Sequence, residues 1–163
     1  MSKFSTKVRY LSHAAMIGAL YVALTFISAA AGLSSGAIQI RLSEALTVLP
    51  AFTPAAIPGL AVGCLLANTL TGGLPWDVVF GTLATLIGAL GTYALRRAPH
   101  WLAPTPPILA NVLIVPAVLQ LVYGDPHAYP FLMLTVGVGE VIAAGIFGMS
   151  LYHAVKKIRI FER

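Results

Sequence analysis

Apolar residues run along this chain in long blocks, and the polar positions between them mark where each block ends. The first block runs from about Arg9 to Gly32. As a helix rising 1.5 Å per residue, it is long enough to cross a hydrocarbon core of about 30 Å. Gly32 to Gly36, rich in glycine and serine, breaks it. From Glu44 to Gly73 the chain is apolar again, but Pro50, Pro54 and Pro58 interrupt it. This predicts two short helices, about Leu42 to Phe52 and about Ala56 to Thr71, with the proline cluster between them. Gly72, Gly73, Pro75 and Trp76 make a turn, and Asp77 to Leu95 a clear span. Arg96 to His100 is a basic loop. Pro106 to Tyr123 is a further span with a bend expected at Pro116. Gly124 to Pro130 is a polar turn, and Phe131 to Val155 the last span.

Composition strengthens this reading. Only 9% of the 163 residues are charged, against about 25% in a typical soluble domain. The mean hydropathy is +0.89. The chain therefore reads as one integral membrane domain over residues 1–163, with the lipid bilayer as its first partner and the cell membrane as its location. The net charge of +5 could suggest nucleic acid in a soluble protein, but its distribution argues against that. Lys3, Lys7 and Arg9 sit at the N-terminus, Arg96 and Arg97 in one loop, and Lys156, Lys157, Arg159 and Arg163 at the C-terminus. Short basic clusters flanking apolar runs are topology signals. The N-terminus superficially resembles a signal peptide, but the length of the first run and the spans that follow favour a first transmembrane helix.

Parity turns these clusters into a topology. With the N-terminus in the cytoplasm, the first span ends outside. Arg96 and Arg97 belong inside, so the segment from Leu33 to Trp76 crosses an even number of times, as two short helices or as a re-entrant hairpin. The last two spans then put Gly124 to Pro130 outside and the C-terminal lysines inside. The expectation is an all-α bundle of six transmembrane helices, the second and third short, with both termini cytoplasmic. Every basic residue but Arg41 then falls on the inner side. A charge placed against that rule needs a local partner or a function.

The acids matter more than the bases here. Glu162 in the tail and Asp125 in a turn have plain surface readings. Glu140 lies about ten residues into the last helix, roughly 15 Å from the outer surface at 1.5 Å per residue. A carboxylate at that depth costs at least a few kcal/mol, faces the bundle interior and usually serves function; the alternative is a hydrogen bond that holds helices together. Asp77 opens a helix, where an aspartate either caps free N–H groups or faces a ligand. Glu44 either matches the dipole at the start of its short helix, pairs with Arg41 three residues back, or binds. Asn68 and Asn111 are lone amides in apolar spans, suited to bridging helices or to contacting a ligand; Asn111 lies nearer the inner end, which weakens its case. Trp76, Tyr123 and Tyr129 sit at the outer boundary as a belt or as stacking partners. Arg41, Glu44, Asn68, Asp77 and Glu140 thus gather toward the outer half. They suggest a pocket open to the outside for a small polar ligand. A guanine-like edge, with paired N–H donors, suits a carboxylate well.

Other chemistries lack their signatures. The chain has no G-x-x-x-x-G-K-[ST] phosphate loop, no metal-ligand spacing and no catalytic set. Its one cysteine, Cys64, lies in an apolar run and reads as a small filler. No cofactor, metal or enzymatic activity is expected. Concentrative transport then takes its energy from a partner or an ion gradient. With no inverted repeat visible, a self-contained carrier is the less attractive option.

Five stretches carry a family resemblance: Gly36-Ala-Ile-Gln-Ile-Arg-Leu-Ser-Glu-Ala-Leu-Thr-Val-Leu-Pro50, Pro58-Gly-Leu-Ala-Val-Gly-Cys-Leu-Leu-Ala-Asn68, Trp76-Asp-Val-Val-Phe-Gly-Thr-Leu-Ala-Thr85, Pro106-Pro-Ile-Leu-Ala-Asn111 and Gly139-Glu140. Together, across about Tyr10 to Tyr152, they resemble the QueT family. That resemblance implies the substrate-binding (S) subunit of an energy-coupling-factor transporter, with an S-component-like bundle and a queuosine precursor, a 7-deazaguanine, as ligand. It implies substrate contacts among Arg41, Glu44, Asn68, Asp77, Asn111 and Glu140, with the loop after helix one capping the ligand. It also implies a small-residue row on helix one that docks a transmembrane coupling (T) subunit, here Ala15, Ala19 and Ala23, and two cytoplasmic ATPases as further partners. Two alternatives are an S component for another vitamin-like ligand and a stand-alone ion-coupled carrier using Glu140 as a proton site.

Overall fold

In a computed structural model that describes residues 3–33 and 38–158, the chain folds as an all-helical bundle, with no strand among the described residues. Ser34 to Gly36 of the expected break, and Arg159, Glu162 and Arg163 of the tail, lie outside the described residues. Six helices follow in order: α1 (Lys3–Ala30), a 3-10 helix (Leu42–Ala51), α2 (Ala56–Leu70), α3 (Pro75–Ala94), α4 (Thr105–Leu121) and α5. α5 runs Tyr129–Ile158 in three continuous pieces: α-helical Tyr129–Glu140, π-helical Val141–Phe147 and α-helical Gly148–Ile158. Two short 3-10 turns, Leu95–Arg97 and His100–Leu102, link α3 to α4.

Four stretches are long and apolar enough to cross a bilayer: Thr6–Ala30, Pro75–Arg97, His100–Leu121 and Tyr129–Ile158. The 3-10 helix and α2 are the two short ones. At about 2.0 Å and 1.5 Å per residue they are each roughly 20 Å long, short of the core thickness of about 30 Å. Burial follows the logic of a bilayer. Leu20, Ile27, Val62, Leu66, Leu113 and Ile146 are exposed on the outside, whereas Ser28, Ser43, Glu44, Thr47, Asn68, Thr85, Asn111 and Glu140 are buried. In lipid the apolar groups need no hiding, and the polar groups must find partners inside.

The 3-10 helix is the hub. Every residue from Ser43 to Pro50 is buried, and it packs against α1, α2, α3 and both later pieces of α5. Runs of 3-10 helix beyond three or four residues are uncommon, so this one is held by its surroundings. Thr25 on α1 donates to Ser43 Oγ at 2.9 Å, the Leu42 N–H donates to Ser28 Oγ at 2.8 Å, and Thr47 Oγ1 donates to the Glu44 carbonyl at 2.6 Å.

α1 and α2 cross with almost no side chain between them. A Cβ on Gly59 would lie 2.6 Å from the Ala14 carbonyl, and one on Gly63 2.9 Å from the Gly18 carbonyl. The small-residue row Ala14 and Gly18 therefore faces α2, the packing geometry of small-x-x-x-small helix pairs. The other row, Ala15, Ala19 and Ala23, is exposed.

One end of the bundle collects the basic segments. Tyr10 reaches the Pro54 carbonyl there, Phe52 packs on Tyr152, and His100 stacks on Tyr152 and meets His153, four residues from Lys157, edge to face. Arg41, Tyr123 and the Asp125 turn lie toward the opposite end.

Candidate functional site

The pocket grows from the start of the 3-10 helix. Arg41 precedes it with extended backbone (φ −100°, ψ 105°), so its side chain leaves the helix face and does not stand over Glu44. Its guanidinium donates to Asn68 Oδ1 at 3.4 Å. The expected Arg41–Glu44 pair does not form. The only ion pair among the described residues is His127 with Asp125. Glu44, only 2% exposed, turns inward: the Tyr21 hydroxyl of α1 donates to its Oε1, and Asn111 Nδ2 of α4 donates to its Oε2 at 3.5 Å.

Glu140 stands at the last α-helical residue of α5 before the π segment. A π turn takes an extra residue into the hydrogen-bonded ring and shifts the side chains that follow out of helical register, a feature common at functional sites. Glu140 is 8% exposed, and its Oε2 has no hydrogen-bond donor. The preceding Gly139 lets the Gln39 carbonyl rest directly on the α5 backbone, where a Cβ would collide with it. This contact seats the segment that carries Arg41 against the helix that carries Glu140.

Between these elements lies a cavity of about 240 Å³. It is lined by Gln39, Arg41 and Glu44 from the central segment and by Asp77, Gly81 and Thr85 from α3. Asn111, Val115 and Leu119 come from α4, Asp125 and His127 from the following turn, and Phe131, Leu132, Thr135, Val136 and Glu140 from α5. A second cavity of about 230 Å³ adjoins it, lined by Thr25, Ala29, Asn68, Thr71, Gly72, Gly73 and Tyr123, with Arg41 and Asp77 shared between the two.

Of the six residues expected to touch substrate, the structure thus brings Arg41, Glu44, Asp77, Asn111 and Glu140 around one cavity. Asn68 lies in the adjoining one, joined to the first through Arg41. Two expectations change. Asn111 is not too deep, because Glu44 is itself buried and draws the pocket inward to meet it. Asp77 does not cap its helix: no side-chain cap forms at the α3 N-terminus, and Asp77 Oδ2 accepts from the Tyr123 hydroxyl at 2.7 Å. Tyr123 in turn accepts from the Leu74 N–H at 3.3 Å. Desolvation first, then the bond to Asp77, raises the Tyr123 hydroxyl above its ordinary pKa.

Several participants were not anticipated. Asp125, read as a plain turn residue, lines the cavity. Its Oδ1 accepts from the backbone N–H of His127 at 2.9 Å and meets the His127 ring nitrogen at 2.7 Å. These two bonds hold the Asp125 carboxyl below its ordinary pKa. The His127 ring stacks on Phe131 with centroids 5.0 Å apart, giving the cavity wall an aromatic face. Tyr21 could not be singled out, since an aromatic in an apolar run gives no sign of where its hydroxyl points. Cys64 is a buried free thiol within reach of Thr85 at 3.3 Å and Asn68 at 3.5 Å. No cluster of three or more metal-binding side chains occurs among the described residues.

Comparison with known proteins agrees with the motifs. A family model described as QueT transporter matches residues 11–157. The queuosine precursor transporter QueT of Lactococcus lactis subsp. cremoris (strain MG1363) is 38% identical over 74 residues, which is 45% of this chain and 43% of that protein. The chain therefore matches less than half the length of this curated relative. No solved structure matches the chain.

Proposed function

This chain belongs to the QueT transporter family, and from that membership we propose that it captures a queuosine precursor, a 7-deazaguanine base, in the cavity between the 3-10 helix and α5. It is a multi-pass membrane protein and a transport component, not an enzyme. In the proposed account residues 1–163 form one transmembrane binding domain with both termini cytoplasmic, so the Arg41 end of the bundle faces outside. The domain acts as the substrate-binding subunit of an energy-coupling-factor transporter. Its exposed row Ala15, Ala19 and Ala23 docks the transmembrane coupling subunit, and two cytoplasmic ATPases supply the energy.

The observation that carries the ligand assignment is the lining of the cavity. Acceptors for N–H groups (Glu44, Asp77, Glu140) and donors for a carbonyl (Arg41, Asn111) converge on one space beside an aromatic ring, Phe131. A guanine-type edge offers two parallel N–H donors that one carboxylate accepts together, and a carbonyl that an amide or guanidinium satisfies. Asn68 positions Arg41 from the adjoining cavity. Size agrees: about 240 Å³ falls just below the roughly 300–1,000 Å³ of drug-sized sites, which favours a free bicyclic base over a nucleoside or nucleotide.

The test is equilibrium binding by the purified protein to a panel of 7-deazaguanine bases and vitamins. Saturable binding of the bases alone is expected. Binding of a vitamin with none of the bases would overturn the ligand assignment, and uptake into vesicles lacking any ATPase would overturn the proposed energy coupling.

A further inference from the structure

We propose that the basic end of the bundle carries a site for an anionic phospholipid headgroup, between the α3–α4 linker and the last turns of α5. The inference rests on the bundle spanning a bilayer and is independent of what the cavity binds.

Charge is divided along the molecule. Every carboxylate among the described residues, Glu44, Asp77, Asp125 and Glu140, lines the cavity. The basic end holds Lys7, Arg9, Arg96, Arg97, Lys156 and Lys157, all exposed, with no described acid to offset them. Topology asks for basic residues on one side of the membrane, but not that they share one place. Packing brings some of them together. His153 Nδ1 donates to the Met149 carbonyl at 2.7 Å, and its ring meets His100 edge to face with centroids 5.5 Å apart. His100 also stacks on Tyr152 at 6.0 Å. These contacts hold the linker against α5. Lys156 and Lys157 follow His153 by three and four residues, so they lie on its face of the helix, about 5 Å further along. Arg97 stands three residues before His100, at the end of the 3-10 turn that leaves α3.

The cations differ in how they are used. Arg96 turns back on its own helix, donating to the Tyr93 carbonyl at 2.8 Å with its guanidinium 4.0 Å over the Tyr93 ring. Arg97, Lys156 and Lys157 have no ion-pair partner among the described residues. A phosphate suits them: the guanidinium gives it two parallel hydrogen bonds, and each ammonium adds a compact charge. The apolar neighbours say which phosphate. Trp101, next to His100, and Ile158, next to Lys157, are each 64% exposed. An indole at the end of a span sits at the level of the lipid headgroups, so the three cations meet the bilayer at the depth of its phosphates. An acidic protein surface would leave the indole and Ile158 unmatched, whereas a lipid covers them with its glycerol and upper acyl chain. A zwitterionic headgroup brings its own cation to the cluster. An anionic one brings none, and clusters of this kind beside a membrane span favour it.

Tryptophan quenching in vesicles tests this directly. Trp76→Phe leaves Trp101 as the only tryptophan of the chain's two, beside the site. The full-length protein is reconstituted in phosphatidylcholine with increasing brominated phosphatidylglycerol, and in parallel with brominated phosphatidylcholine. At about fivefold per cation, Trp101 should report a preference for phosphatidylglycerol of about tenfold to a hundredfold. Lys156→Gln with Lys157→Gln should reduce it to about fivefold or less. Lys7→Gln with Arg9→Gln removes the same charge from α1 and should leave it within about twofold. Should the first pair fail to fold, Lys156→Arg with Lys157→Arg decides, since it keeps the charge and should keep the preference. Equal quenching by the two lipids would overturn the proposal and leave the basic end to an acidic protein partner. An equal loss in both glutamine pairs would overturn it too, showing a diffuse field in place of a site. Abolition of the preference by inorganic phosphate at matched ionic strength would overturn the lipid as the source of the phosphate.

Discussion

Replacing Gly139 by alanine adds one methyl group at the place where two halves of the pocket touch. A Cβ there would lie 3.1 Å from the Gln39 carbonyl carbon and collide with its oxygen, where ordinary contact begins near 3.4 Å. Relief requires the Gln39–Arg41 segment and α5 to separate by something on the order of 1 Å, and overpacking of this kind costs about 1–3 kcal/mol. Gln39 and Arg41 on one side and Glu140 on the other all line the cavity, so the separation widens the site itself. If the bound state carries the whole cost, the ligand Kd rises about fivefold to about 150-fold. Titration of the ligand into Gly139→Ala, with thermal unfolding measured on the same preparation, reads the effect. A folded variant with Kd within about twofold of wild type would show that the close seating of Gln39 on α5 does not shape the site, and the reasoning would fail.

Other changes probe other parts of the account. Tyr21→Phe removes a donor from buried Glu44 and should lower stability by about 1–3 kcal/mol, read by thermal unfolding in detergent; an unchanged midpoint would show that the hydroxyl bond contributes nothing. Ala19→Leu places a large side chain on the exposed row of α1 and should abolish co-purification with the coupling subunit while ligand affinity holds; normal co-purification would count against that row as the docking face. The lowered Asp125 pKa means that the stabilisation of the 124–130 turn is complete above the ordinary aspartate pKa and is lost as pH falls through the depressed value. Carboxyl titration followed by NMR should therefore show Asp125 protonating last among exposed acids, and His127→Ala should return it toward normal. Tyr123 shifts the other way: its bond to Asp77 is fully present below the ordinary tyrosine pKa and is lost as pH rises through the raised one. Tyrosinate absorbance should thus appear later for this residue than in Asp77→Asn.

The long spans were legible because a bilayer demands about 20 apolar residues in a row, and such runs cannot be mistaken for much else. The two short helices were legible from the prolines, though nothing in the sequence distinguished the 3-10 form from α. Residue type located Arg41, Glu44, Asp77 and Glu140, since each charge beside a bilayer calls for a reason. Their partners were not legible. Spacing of three suggested that Arg41 and Glu44 pair, but this holds only when both residues are helical, and Arg41 is extended. Counting residues placed Asn111 too deep, because depth along one helix says nothing about how far the pocket descends to meet Glu44. The π segment of α5 is also hidden, since Val141 to Phe147 is as apolar as an ordinary span. The small residues on α1 show both sides of the matter: one row faces α2 and its neighbour faces outward, and only the backbone contact with Gly59 and Gly63 tells them apart.

The central claim is that a small nitrogenous base binds between the 3-10 helix and α5. A ligand-bound experimental structure of the protein with a 7-deazaguanine base tests it most directly. The account predicts planar density beside Phe131, with Glu44, Asn111 and Glu140 within hydrogen-bond distance of the ligand. Ligand density anywhere else in the bundle, with this cavity left to solvent, would contradict it.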